Sequence, residues 1–395
     1  MRRTLFLTER RPRRVRLAPA DVEFLLAAHA GRIDVAPTGR RGVYRVTPRG
    51  VAGVVAAPTR RLVVRPKIPL QNLFFLLEPD DPAPASRDET SPTPRTDLLD
   101  FLTGRLARLL AERAATGLRR GYRERAEAGP FLHGRIDVPA QLRQDPGRKD
   151  RLHGLRDDFT ADVACNRAPK ATAERLLASS LLGGRVRDAL SAALRGFEEV
   201  GDAPLTAAVF AAAEADRLAE GYGPLLELSR LLADALGPGD ASGPTACPAF
   251  LLDMERVFER YVTRGVLAAF VGDGRTATAQ ETHVVAAGVE MRPDVTVRRE
   301  GRPALVVDAK WKRPSGAPAS ADLYQMLAYC TALGVGRAVL VYPGRRDQVR
   351  TYALLNAPIR LEMRTLRVVG DAAACRRSMK RLGRALRRVN AGRSG

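Results

Sequence analysis

Pro293-Asp294 and Asp308-Ala309-Lys310 stand at the edges of two apolar runs, Val295-Thr296-Val297 and Leu305-Val306-Val307. Two strands joined by a turn at residues 298–303 set Asp294 beside Asp308, because the start of one strand adjoins the end of the next in an antiparallel pair. Alternation along a strand then puts Asp308 and Lys310 on one face and turns Ala309 to the other. An acid and an amine that end a strand apolar on both faces are costly unless they meet a metal or each other. Two carboxylates hold Mg²⁺ through hard oxygen ligands, and the ion lowers the pKa of a bound water and offsets phosphoryl charge. A lysine beside it positions the water or neutralises developing charge. This set has the parts that phosphodiester hydrolysis needs.

Two helices must flank such a hairpin. A helix over about 250–270 buries Met254, Val257, Phe258, Tyr261 and Val262 and places Glu259 beside that stripe, where it can reach the metal. Glu255, one turn earlier, is the competing acid, or else a surface partner of Arg256 or Arg260. A second helix near 320–333 puts Gln325 and Tyr329 at i and i+4, a pair that can brace the lysine or contact a phosphate. Trp311 and Lys312 read as strand-end packing and a general DNA-facing charge. The bland readings stand beside these. An Asp-x-Lys triplet ends many strands by chance, Glu259 can be a solvated charge, and Gln325 with Tyr329 can be helix packing.

The chain has 395 residues and 45% hydrophobic content, enough for two or three domains with real cores. Its net charge of +21 points to a polyanion, since each neutralised phosphate releases counterions. A membrane surface is the rival polyanion, but no apolar run approaches the roughly 18 residues of a span, and the start does not read as a signal peptide. Cys165, Cys247, Cys330 and Cys375 show no CxxC spacing and the four histidines no HxxxH pair, which argues against zinc and against a disulfide framework and suits a reducing cytoplasm. No P-loop, helix-turn-helix or zinc reader is evident, so no nucleotide is expected on this chain itself.

These features predict an α/β multidomain chain. Residues 1–78 read as a mostly β domain, with strands at 43–46, 50–55 and 61–64 and a short helix over 21–28 capped by Asp21. Residues 79–96 read as a linker, and 97–240 as a mostly helical middle region with a strand or hinge at 131–138 and helices near 169–182, 185–198, 205–219 and 223–236. A second linker covers 237–246. Residues 248–370 form an α/β domain, with strands near 281–286, 289–298 and 303–311. The tail, 371–395, is a basic amphipathic helix with Met379, Leu382, Leu386 and Val389 on one side, either gripping DNA or fraying into solvent.

In order and type, the 294–310 residues with Gln325 and Tyr329 resemble the PD-(D/E)XK nucleases, with the Q-x-x-x-Y element of their RecB-like branch. The chain is closer still to the McrC family, the nuclease subunits of McrBC modification-dependent restriction systems. Arg65-Pro66-Lys67-Ile68, Gly134-Arg135-Ile136-Asp137, Asp162 with Asn166-Arg167, and Leu252 to Arg260 carry that likeness, which spans nearly the whole sequence. The resemblance implies a C-terminal restriction-endonuclease-like domain in which Asp294, Asp308 and Glu259 hold Mg²⁺ (Mn²⁺ substituting), with the carbonyl of Ala309 as a further ligand. Lys310 would act on the water, and Gln325 and Tyr329 would support it. It also implies double-stranded DNA as substrate. The implied partner is an McrB-like AAA+ GTPase ring, docked through the N-terminal part and stimulated by it, with modified cytosine read on the ring. Two other readings remain: a non-cleaving DNA-binding adaptor or GTPase activator, and a stand-alone repair nuclease.

Overall fold

The computed structural model describes residues 3–77, 98–236 and 248–388, apart from 149, 217, 287, 315 and 356. Both segments expected to be linkers, and Val389, lie outside the described residues. The chain forms two compact units. One comprises Met1–Ala52, Pro58–Arg95 and Asp253–Gly395, and the other Gly53–Ala57 and Thr96–Leu252.

The first part runs β1 (Arg3–Thr8), β2 (Arg13–Arg16), α1 (Pro19–Ala28), β3 (Ile33–Pro37), β4 (Val43–Pro48), β5 (Val51–Ala56), β6 (Arg60–Arg65) and α2 (Leu70–Leu77). β1 lies parallel to β6 with Leu5 across from Leu62 and Leu7 from Val64, all four buried. β2, β4 and β3 make a small antiparallel sheet. Asp21 does not cap α1 as expected. Ala18 holds that position with Pro19 following, and Asp21 is buried, accepting hydrogen bonds from the backbone N–H (2.8 Å) and the hydroxyl of Thr59. The carboxylate joins two segments far apart in sequence, a role that no local pattern encodes.

The second unit is built around α3 (Leu98–Thr116), whose Leu99, Leu102, Leu106 and Leu110 are buried at helical spacing. There follow β7 (Gly121–Gly129), β8 (Arg135–Ile136), α4 (Val138–Gln144), β9 (Leu152–Thr160), α5 (Ala164–Ala178), α6 (Gly184–Leu194), α7 (Ala207–Glu214), α8 (Gly223–Leu236) and β10 (Ala249–Asp253). β7, β9 and β8 pair antiparallel in that order. Of the strand expected at 131–138 only β8 forms. Asp137 ends it by accepting from Ala140 N (3.0 Å) as the N-cap of α4. Asn166 is fully buried. Its amide donates to the carbonyls of Ala161 (2.6 Å) and Arg119 (2.8 Å), and its side-chain oxygen accepts from the Tyr222 hydroxyl (2.5 Å). A side chain with two donors and an acceptor ties these three groups together inside the unit.

The remaining elements return to the first unit: α9 (Met254–Phe270), β11 (Arg275–Ala279), β12 (His283–Ala286), β13 (Val289–Met291), β14 (Val295–Arg299), β15 (Arg302–Ala309), α10 (Ser320–Leu333), β16 (Arg337–Gly344), β17 (Gln348–Ala353), β18 (Arg360–Arg367) and α11 (Ala372–Arg387). The helix expected from residue 250 begins only at Met254, with Asp253 capping it through Glu255 N (2.9 Å) and Arg256 N (3.3 Å). The strand expected over 289–298 is two strands: β13 pairs with β12 in a hairpin of its own, and β14 enters the main sheet.

That sheet has the order β11-β14-β15-β16-β18-β17, with β15 and β16 parallel and central. On one face Val306, Leu340 and Tyr342 pack with Met326, Tyr329 and Cys330 of α10. α11 packs on α9 and β18 and buries Ala374, Cys375, Leu382 and Leu386, so its described part is a folded helix and not a frayed end. The helices close because position 383 is glycine: a Cβ there would stand 2.6 Å from Ala269 Cβ. Glu362, buried on β18, pairs with Arg337 (2.9 Å) and Arg364 (2.7 Å), and Arg337 also donates to the carbonyls of Ala385 and Leu386 at the end of α11.

Candidate active site

β14 and β15 form a hairpin around Glu300-Gly301, both left-handed, with Arg299 across from Arg302. Two positive-φ residues suit the twist of flanking strands, and glycine takes the second without steric cost. The register runs to Val295 opposite Val307, so the next step sets Asp294 across from Asp308, both on the face toward α10. Asp294 Oδ2 accepts the backbone N–H of Ala309 at 2.7 Å.

Asp308 is 1% exposed at the end of a central strand. Lys310 Nζ comes within 2.6 Å of its Oδ2 as an ion pair. Burial raises the Asp308 carboxyl above its usual range. Lys310 opposes this, while Asp322 and Glu259 add to it. Burial, then the charges of Asp308 and Glu259, raise Asp294 to about 7, against the Ala309 N–H and Lys310. Burial pulls the Lys310 ammonium down, but Asp308, Asp294 and Asp322 outweigh it and leave it raised. Two largely desolvated acids share one strong cation, and such a cluster holds excess negative potential.

Glu259 lies on α9, half-buried, and accepts a hydrogen bond from the Gln280 side chain. It is close enough to act on both aspartates. Even so, no three His, Cys, Asp or Glu side chains gather as a metal-binding cluster among the described residues. Glu255, the competing acid or else a surface partner of Arg256 or Arg260, pairs with Arg10. Gln325 Nε2 donates to the Tyr329 hydroxyl (2.9 Å), which lies 3.3 Å from the carbonyl of Arg292 as its donor. The pair therefore braces the segment entering Asp294, and the hydroxyl lies near enough to Lys310 and both aspartates to feel their charges. Ala309 is half-buried at the end of β15.

The sequence reading passed over several groups. Asp322, buried in the first turn of α10, pairs with Lys312 (2.7 Å) and accepts from Tyr342 Oη (2.7 Å), so the Lys312 charge is already engaged. Gln280 has left-handed backbone, and its N–H donates to the Asp294 carbonyl (3.0 Å), tying Glu259 to the aspartate strand. Trp311 is buried against Phe258, with ring centroids 5.4 Å apart, and donates from Nε1 to Glu9 Oε1 (2.6 Å). The only signal for Asp322 was an acid in a helix's first turn; Trp311, read as strand-end packing, does pack, and only its bond to Glu9 went unforeseen.

No helix among the described residues is long and apolar enough to cross a membrane. No curated protein matches the chain. Among solved structures it is similar to a chain in the refined half-complex from the tetradecameric assembly of Thermococcus gammatolerans McrB AAA+ hexamers with bound McrC. The TM-score is 0.56 at 17% identity, over 96% of this chain and 100% of that one. A chain of the Thermococcus gammatolerans McrBC complex, determined by cryo-electron microscopy, is 19% identical over 68% of this chain and 88% of its own, with a TM-score of 0.45. The family described as McrBC 5-methylcytosine restriction system component matches residues 46–343, a span that includes Asp294, Asp308 and Lys310. With most of its length inside that match, this chain belongs to the McrBC restriction system component family.

Proposed function

We propose that the chain is the DNA-cutting subunit of a McrBC-type restriction complex, a Mg²⁺-dependent endonuclease with a PD-(D/E)XK domain. It docks on an McrB-type AAA+ GTPase ring that selects modified DNA, and stimulates it. The observation that carries this reading is the meeting of Asp294, Asp308 and Lys310 at the end of one central strand pair. The similar Thermococcus assembly, in which McrC is bound to McrB hexamers, supports the partner.

The residues present fit a divalent ion. Asp308 Oδ2 is buried with the Lys310 ammonium against it, and Asp294 is raised by burial and then by the charges of Asp308 and Glu259. Both penalties fall when a cation arrives. Asp294 and Asp308 would hold it, with the Ala309 carbonyl and a Glu259 released from Gln280 as further ligands; Mn²⁺ would substitute. When bound, the ion supplies an activated water and neutralises phosphoryl charge. Lys310, kept protonated by its acidic neighbours, orients that water or steadies a phosphate oxygen. Tyr329 and Gln325 hold the Arg292 carbonyl and so the approach to Asp294. The excess of 21 positive charges draws the DNA backbone.

The test is cleavage of plasmid carrying methylated cytosines, with Mg²⁺, GTP and the ring partner. Asp308→Ala and Lys310→Ala should each lose at least about a hundredfold in rate while still binding the ring. Cutting at the wild-type rate by either variant would overturn the assignment.

A further inference from the structure

Glu9 and Arg10 form a two-residue turn between β1 and β2, with Arg11 N bonded to Thr8 O at 3.0 Å. Arg10 is left-handed, at φ 56°. A non-glycine residue is strained there, and the fold holds it with two backbone bonds, Glu9 N to Arg65 O (2.9 Å) and Arg10 N to Pro48 O (2.8 Å). The strained turn sends two adjacent side chains to the two halves of the candidate site. Glu9, 1% exposed, accepts from Trp311 Nε1 at 2.6 Å. Arg10 pairs with Glu255, one turn before Glu259 on α9.

Trp311 is joined to Lys310 by one peptide bond. Lys310 N is pinned to Val341 O (2.8 Å), and Lys312 N closes back on Lys310 O (2.9 Å), so the chain leaves the sheet in a tight turn centred on Trp311. Lys67 holds that residue twice, with Nζ 4.0 Å above the indole ring and donating to the Trp311 carbonyl at 3.1 Å. A neutral acceptor would satisfy the indole. The fold instead keeps a buried glutamate beside a largely buried lysine, 4.0 Å apart. Such a pair is a poor source of net stability and a good one of fixed geometry. Arg10–Glu255 is exposed and adds little, so the weight falls on Glu9.

We infer that Glu9, with Lys67, is a positioning residue for the cleavage centre: it clamps Trp311 and thereby sets the place of Lys310 relative to the aspartates. This rests on the nuclease reading. It also gives the Arg65-Pro66-Lys67 motif a task, to bring the N-terminal strands onto the catalytic strand end.

The chain has a single tryptophan, so its emission reports this clamp directly. In the full chain with its ring partner, Glu9→Gln keeps an acceptor for the indole but gives up the charge beside Lys67, and should disturb emission and cutting less than Glu9→Leu does. Glu9→Leu should shift the emission and lower kcat about tenfold or more, with KM for DNA and the folded fraction by circular dichroism unchanged. Trp311→Phe keeps a ring against Phe258 and loses the N–H. It should lose as much, and the double variant no more than either single one. If Glu9→Leu does not fold, Trp311→Phe carries the test. Wild-type kcat in Trp311→Phe, or losses that multiply in the double variant, would overturn the clamp. A wild-type chain that never cuts would sink the nuclease reading alone. Emission unchanged in a folded Glu9→Leu would sink the clamp whatever the cutting.

Discussion

Lys310 Nζ stands 2.6 Å from Asp308 Oδ2, and the two meet on the β15 face that carries α10. The pair is close but lopsided, because the ammonium is partly open to solvent and the carboxylate is not. Lys310→Met should therefore cost about 3–5 kcal/mol at neutral pH, the usual penalty for stranding a buried charge. Urea denaturation in a chelator measures it. Adding Asp308→Asn to that variant should return most of the loss, and a double variant as unstable as the single would refute the charge explanation.

Asp294 tells the opposite story. Burial and its acidic neighbours raise it to about 7, so at pH 8 the fold carries an unwelcome ionised group. Asp294→Asn keeps an acceptor for Ala309 N and removes that charge. It should gain about 1–2 kcal/mol in a chelator at pH 8 while abolishing cutting. Thermal melts decide it, and a lower midpoint than wild type counts against the prediction.

Tyr329→Phe keeps the ring in the core and deletes the hydroxyl between Gln325 and the Arg292 carbonyl. The stability cost should be about 1 kcal/mol. Cutting should slow through kcat with KM little changed, because the lost contact steadies the approach to Asp294 and touches no described DNA-binding surface. Initial-rate kinetics over a range of DNA concentrations separate the two constants.

Lys67 carries a pH signature. Burial lowers it to about 8 from 10.5, with Glu9 opposing. Between about 8 and 10.5 the unfolded chain holds a proton that the folded chain has shed, so this group makes stability rise with pH. Cys165, Cys330 and Cys375, raised by burial to about 11, work the other way above their usual range. The informative quantity is therefore the difference between wild type and Lys67→Met, which should widen in favour of wild type from pH 8 to 10. A constant difference across that range would remove Lys67 from the account.

The hairpin bearing Asp294 and Asp308 could be read from sequence because its signals are local: apolar runs, a Glu-Gly turn, and an acid and an amine two residues apart. The helix expected near 320–333 is α10, and Gly334 ends it with left-handed backbone. β7 escaped notice because it is largely solvated, and β9 because it carries little apolar alternation to detect. Asp21 looked like a cap because caps are local, whereas its actual partner, Thr59, is 38 positions away. The contact of Trp311 with Glu9 spans 302 positions. No window of sequence contains both ends, and a single acid followed by a basic run gives no hint of a buried acceptor.

That separation has a consequence during synthesis. The unit holding Asp308 is written in separated stretches, with most of the second unit made between them. At roughly 5–20 residues per second, Glu9 emerges about 15–60 s before the indole it must meet. A nascent chain thus carries the early strands well before the residues around Asp308 exist, and the Glu9 carboxylate waits without its indole partner until then.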